Sequence, residues 1–262
     1  MRFESRYLSG RIGEAITPAC RQTGMTHKNN KYQHMKSKIL LKSFIGFSAV
    51  YLLIILFGHT AIAWYLKPFL LPFLLYSVYV FEDFPTKKIL LTALTFSWIG
   101  DIILMFTDKG ELYFIFGLVA FLLSHIVYIV LFSKQLKTES NKNNLLFVFG
   151  IGVIIVYLLL MLSLLLPNLG DLKIPVSIYA MVISTMLLFA LKGSFNWSKP
   201  GNYYILMGAV IFVSSDSILA FNKFYKPIFL DSFLIMATYI IAQYLIVKGI
   251  LELNKKTAVT DS

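Results

Sequence analysis

From residue 39 onward the chain alternates long apolar blocks with short polar breaks. Eight blocks fall at about 39–57, 61–80, 88–107, 112–132, 145–166, 173–192, 203–221 and 229–251. Each approaches the roughly 20 residues that a helix needs to cross a hydrocarbon core of about 30 Å. Length identifies them as spans, since periodicity does not separate buried from lipid-facing sides in such blocks. The loops between them are too short to hold a domain. The pattern predicts an all-α integral membrane protein, a bundle of eight transmembrane helices over residues 39–251. A basic, disordered tail (1–38) precedes it and a short cytoplasmic tail (252–262) follows. Met25 and Met35 are alternative starts, each with a short basic lead before the first span.

Composition sharpens this picture. Of 262 residues 58% are hydrophobic and 14% charged, against about a quarter charged in soluble domains, which argues against a soluble enzyme. The formal charge of +11 does not mark a nucleic-acid surface, because Lys and Arg are scattered between apolar blocks. They read as topology signals. Eighteen of the 24 fall in the N-terminal tail, the loops on its side of an eight-span layout and the C-terminal end; four (Lys109, Lys173, Lys223, Lys226) fall opposite. Both termini are therefore expected in the cytoplasm. The single cysteine, Cys20, excludes an intramolecular disulfide and a thiolate metal cage.

Four ionisable residues lie inside spans: Lys67, Asp101, His125 and Asp216. A carboxylate at the bilayer centre costs about 2.5–3.5 kcal/mol on insertion scales, so each acid needs a reason. Asp101 stands thirteen residues past Lys88, Asp216 thirteen past Tyr203, Lys67 thirteen before Val80 and Tyr179 thirteen before Lys192. At about 1.5 Å per residue all four share a level about 20 Å from the cytoplasmic boundary. His125, seven residues before Phe132, and Gln243, eight before Leu251, fall near 10 Å by the same rise, about two turns away. Gly208, Phe212, Asp216 and Ala220 form one stripe, and Gly117, Phe121 and His125 with Tyr128 another, so the acids face the bundle interior. Pro68 and Pro72 remove backbone donors from the second span and predict a kink that opens a pocket beside Lys67.

One intramembrane histidine is too few for a zinc hydrolase, no serine has a base at its depth, and no Gly-rich phosphate loop is present. Neither metal nor cofactor is expected. Acid–base chemistry by two carboxylates remains: one Asp kept protonated by burial and the other kept ionised by Lys67, as in the hydrolysis of acid-labile ethers. A bland reading has either Asp paired with Lys67 as structural glue. His125 has its own, a hydrogen-bonded interhelical side chain.

Several motifs together resemble the YhhN-like lysoplasmalogenase family. They are Lys67-Pro68-Phe69-Leu70, Ile99-Gly100-Asp101-Ile102-Ile103-Leu104, Gly117-x3-Phe121-x3-His125-x2-Tyr128, Pro175-Val176-x2-Tyr179-x6-Met186, Gly208-Ala209-x2-Phe212-x2-Ser215-Asp216-x2-Leu219-Ala220 and Tyr239-x3-Gln243. They occur in order on successive spans over about residues 40–251. The resemblance implies eight transmembrane helices, placed here in a bacterial inner (plasma) membrane. It also implies hydrolysis of the vinyl ether of a lysoplasmalogen to a fatty aldehyde and glycerophosphoethanolamine or glycerophosphocholine. The substrate is a lysophospholipid within the bilayer, and no nucleic-acid partner is expected. Family members depend on acids matching Asp101 and Asp216, which are expected here to be the catalytic pair. Asp216 is the expected proton donor and Asp101 its ionised partner, with the reverse assignment left open. Lys67 is expected to hold the ionised Asp or meet the lipid phosphate. Tyr179, Tyr239 and Gln243 are expected to position glycerol or water, with His125 and Tyr128 supporting. A second reading stays open: a small transporter or lipid-binding membrane protein whose buried acids carry protons or bind a head group.

Overall fold

The computed structural model describes residues 18–136 and 144–255. Among these described residues nine α-helices follow one another: α1 (Pro18–Leu56), α2 (Thr60–Leu66), α3 (Leu70–Val80), α4 (Lys87–Leu104), α5 (Glu111–Gln135), α6 (Asn144–Leu165), α7 (Lys173–Asn196), α8 (Gly201–Phe224) and α9 (Asp231–Leu253). No strand occurs among the described residues.

One helix limit differs widely from the sequence reading. Helix α1 extends back to Pro18, so residues 18–38, read above as disordered tail, are helical; residues 1–17 lie outside the described residues. Hydropathy ends the first span where the charges begin, whereas Lys, Gln, Met and Ala propagate a helix regardless of charge. The second span is broken as Pro68 and Pro72 require: a 3₁₀ turn, Lys67–Phe69, separates α2 from α3. Pro72 has no N–H for the carbonyl of Pro68, which would be stranded in hydrocarbon at a cost of several kcal/mol. The indole Nε1 of Trp98 on α4 donates to that carbonyl at 2.8 Å.

Among the described residues seven stretches are long and apolar enough to cross a bilayer: Tyr32–Leu56, Thr60–Val80, Glu111–Gln135, Leu145–Asn168, Gly170–Asn196, Gly201–Phe224 and Asp231–Leu253. The eighth expected span corresponds to α4, whose 18 residues include Lys87, Lys88 and Asp101. It carries three charged residues in 18, where each of the other seven has an 18-residue stretch with at most two, although it is about 27 Å long. The chain is a multi-pass integral membrane protein.

Helices α8 and α9 pair most closely, α4 and α5 next, and α1 lies against α3 and α9. Glycines allow the closest approach. A Cβ at Gly208 would stand 3.0 Å from the Ala242 carbonyl oxygen on α9, and one at Gly249 would stand 2.9 Å from that of Gly201. The core runs through Leu74 and Val78 of α3, Leu90 and Leu94 of α4, and Phe212 of α8, all fully buried. Helix α6 stands at the edge against α7 and, more lightly, α8. None of its most apolar stretch is buried.

Candidate active site

Asp101 and Asp216 line the same cavity, together with Lys67. Its volume is about 380 Å³, and Tyr51, Trp64, Phe121 and Tyr239 also line it. One end of the cavity is polar, carrying Thr60, Thr107, Asn222, Lys223, Asp231 and Ser232. These residues all belong to the same end of the bundle, where α2 and α9 begin and α4 and α8 finish. The opening is internally tied, because Asn222 Nδ2 donates to Asp231 Oδ2 at 2.8 Å and the Ile228 N–H donates to Asn222 Oδ1 at 2.8 Å.

Each acid is held by a tyrosine from a neighbouring helix. The Tyr239 hydroxyl of α9 donates to Asp101 Oδ2 at 2.8 Å, and the Tyr179 hydroxyl of α7 donates to Asp216 Oδ2. Asp101 is 3% exposed, whereas the Asp216 side chain keeps 13% of its surface open. That residual surface borders a second space. A narrow slot of about 50 Å³ between α5, α6, α7 and α8 is also lined by Asp216, and its other walls are almost wholly apolar. Asp216 therefore stands where a polar cavity and an apolar slot adjoin. No ion pair joins Lys67 to either acid among the described residues, so the structural-glue reading of the acids has no direct contact behind it.

An aromatic wall links the two carboxylate sites. The Tyr239 ring meets Phe212 at 5.6 Å and Phe121 at 5.8 Å, and Phe212 meets the His125 ring at 4.7 Å, all edge to face. His125 corrects the depth argument, since its Nε2 lies 3.6 Å from Asp216 Oδ2 instead of two turns away. Helix α5 continues to Gln135 and α8 begins at Gly201, which narrows the axial gap to about 8 Å. Side chains lean toward the N-terminus of their own helix, so on these antiparallel helices His125 and Asp216 lean toward each other.

The expected site residues separate into two groups. Lys67 and Tyr239 line the main cavity with both acids, and Tyr179 lines the slot with Asp216. Tyr128, His125 and Gln243 line neither space. The Tyr128 hydroxyl donates to Gln243 Oε1 at 2.6 Å, Gln243 Nε2 donates to Ser97 Oγ at 2.9 Å, and Ser97 shares a 2.7 Å hydrogen bond with Ser124. This buried network ties α4, α5 and α9 together below the acids, and its polar atoms are spent on one another. Sequence reasoning missed Tyr157 and the charged mouth residues. The signal available for the latter was a basic and an acidic residue, Lys223 and Asp231, on either side of one short loop.

Fold and site together define a multi-pass helical membrane protein with two tyrosine-bonded carboxylates facing a common interior cavity. The model of the YhhN family matches residues 62–250, and the chain belongs to that family. The match begins inside α2, so α1 lies outside it although Tyr51 of α1 lines the cavity. The chain is 30% identical over 175 residues to "Lysoplasmalogenase TMEM86A" of Bos taurus, an alignment covering 64% of this chain and 67% of that one. It is 30% identical over 176 residues to the Homo sapiens protein of the same name, with the same coverage. Against "Lysoplasmalogenase TMEM86B" of Homo sapiens it is 31% identical over 161 residues, covering 61% of this chain and 62% of the relative. No solved structure matches.

Proposed function

We propose that the protein is a lysoplasmalogenase that cleaves the vinyl ether within the membrane by two-carboxylate acid–base catalysis. The observation that carries the reading is that Asp101 and Asp216, each bonded to a tyrosine, line one cavity with Lys67 and a polar mouth. The names of the family relatives above point to the same reaction.

In this mechanism protonated Asp216 gives its proton to the β-carbon of the vinyl ether, and the π electrons leave an oxocarbenium ion at the α-carbon. Asp101, the ionised partner in this reading, stabilises that cation and removes a proton from the attacking water. The hemiacetal hydroxyl then gives its proton to Asp216, the carbon–oxygen bond to glycerol breaks as that oxygen takes the proton held by Asp101, and the aldehyde departs with both acids restored. Tyr179 and Tyr239 orient the two carboxyl groups. Three chain bonds span about 3.3–3.6 Å, so the six bonds from the vinyl carbon to phosphorus span roughly 7 Å. Lys223, seven residues beyond Asp216 on α8, lies about 10 Å along the axis. With Lys67 it suits a phosphate, and Asp231 suits an ammonium group.

The decisive experiment is turnover by purified protein in detergent, with no ion gradient, in heavy water. The fatty aldehyde is expected to carry one deuterium on the carbon next to the carbonyl. Oxygen-18 from labelled water is expected in the aldehyde, trapped by immediate reduction. Oxygen-18 in the glycerophospho product would overturn the mechanism, and no turnover at all would favour a transporter or lipid-binding role. Structural support for that rival is thin: the mid-span break at Lys67–Phe69 has no counterpart in the second half among the described residues.

The topology proposed with this function has α4 as an eighth crossing and both termini in the cytoplasm, supported by the 18-to-4 distribution of basic residues. In a Cys20→Ser background, Lys109→Cys is expected to react with an impermeant thiol reagent on intact cells and Lys142→Cys only after lysis. Labelling of Lys142→Cys in intact cells would reverse the orientation.

A further inference from the structure

The slot on the far side of Asp216 has no part in the chemistry above. Leu158, Met161 and Leu162 of α6 and Ala180 and Ile183 of α7 supply walls, and its outer end is plugged by a cluster of Leu165, Leu169 and Val176. Water from the polar mouth is therefore kept out of this side. Helix α6 covers the slot and is itself weakly held, with apolar side chains such as Val153, Val156, Leu159 and Leu160 facing outward. One polar contact fastens α6 to α8 here: the Tyr157 hydroxyl meets Ser217 Oγ. Ser217 gives its own proton to the Val213 carbonyl at 2.5 Å, so Tyr157 is the donor. The residue after Asp216 thus anchors the helix that roofs the slot.

We propose that this slot is the subsite for the lysolipid's hydrocarbon chain, entered sideways from the bilayer beneath α6, while the head group occupies the polar cavity. Asp216 is the one ionisable group lining both spaces, so a chain on one side and a glycerophospho group on the other bring the bond between them to its carboxyl. The slot's volume of about 50 Å³ takes only the first few methylenes as it stands. The rest of the chain runs out between α6 and its neighbours into lipid, where apolar side chains receive it at no desolvation cost. The proposal rests on the lysolipid reading of the site and specifies how that substrate lies in it.

The test uses a non-cleavable probe, the saturated alkyl-ether lysophosphatidylethanolamine, in a long-chain form and in a short form cut back to a methyl ether that leaves the slot empty, with the full-length protein in detergent. Burying one methylene is worth about fourfold in affinity. Ala180→Phe, which displaces two or so methylenes from the slot, is expected to lower the long-over-short preference in Kd by about tenfold. Equal weakening of both probes, or no change in either, overturns the proposal. If Ala180→Phe does not fold, the wild-type protein answers the question with a probe carrying a photoreactive diazirine near the start of its chain. Crosslinks to Leu158, Met161, Leu162 or Ile183 support the slot, and crosslinks to Tyr51 or Ile235 of the main cavity overturn it. Binding with slot crosslinks but no vinyl-ether cleavage would defeat the enzymatic reading and leave the chain subsite standing.

Discussion

Asp101→Asn and Asp216→Asn are each expected to lower kcat for lysoplasmalogen by about 10²–10⁴-fold while the protein still inserts and keeps its thermal transition. Asparagine preserves the acceptor for Tyr239 or Tyr179 but neither delivers nor takes a proton at the catalytic position. His125→Gln is expected to lose only about tenfold, since His125 touches Asp216 at 3.6 Å and lines neither cavity. Tenfold is the scale of one misoriented hydrogen-bonding group, about 1.4 kcal/mol. Turnover of purified variants at matched concentration checks the ordering, and an Asn variant within threefold of wild type would remove that acid from the mechanism.

The largest structural effect is expected from Gly208→Val. Its side chain would meet backbone atoms of Ala242 and Ile246 at 3.0 Å, and backbone on a packed helix does not rotate aside as a side-chain tip does. Prising α8 from α9 moves Asp216 away from Tyr239 and its wall. A loss of about 1–3 kcal/mol is expected, read as a lowered Tm in detergent with activity lost in parallel. Gly152→Ala is the control. Nothing lies within 4 Å of its would-be Cβ on the lipid-facing α6, and the transition is expected to stay or rise slightly, because Ala favours a helix.

Much of the site was legible because the membrane penalises charge. Asp101, Asp216 and Lys67 stand out in apolar spans, and helical rise places them with Tyr179 at one level. Side-chain partnership was not legible in the same way. Tyr128 and Gln243 carry the same signature as Tyr239, a polar residue in an apolar helix. Only packing tells that Tyr239 reaches a cavity while Gln243 is consumed by Ser97 and Tyr128. His125 was misplaced because depth counted from hydropathy boundaries ignores both the last helical turn and the lean of the side chain. The family comparison assigns the chain to its family without reaching Tyr51, because the match starts after α1.

The indole of Trp98 on the Pro68 carbonyl has a kinetic consequence. Trp98 and Asp101 are three residues apart on one face of α4, and the carbonyl belongs to the turn that carries Lys67. The bond therefore registers the turn of Lys67 against the helix of Asp101 before any lipid arrives. A proline break in a membrane helix is commonly a hinge; here it is a fixed corner. With that corner set in advance, this side of the site needs no rearrangement of the Lys67 turn when a lipid arrives.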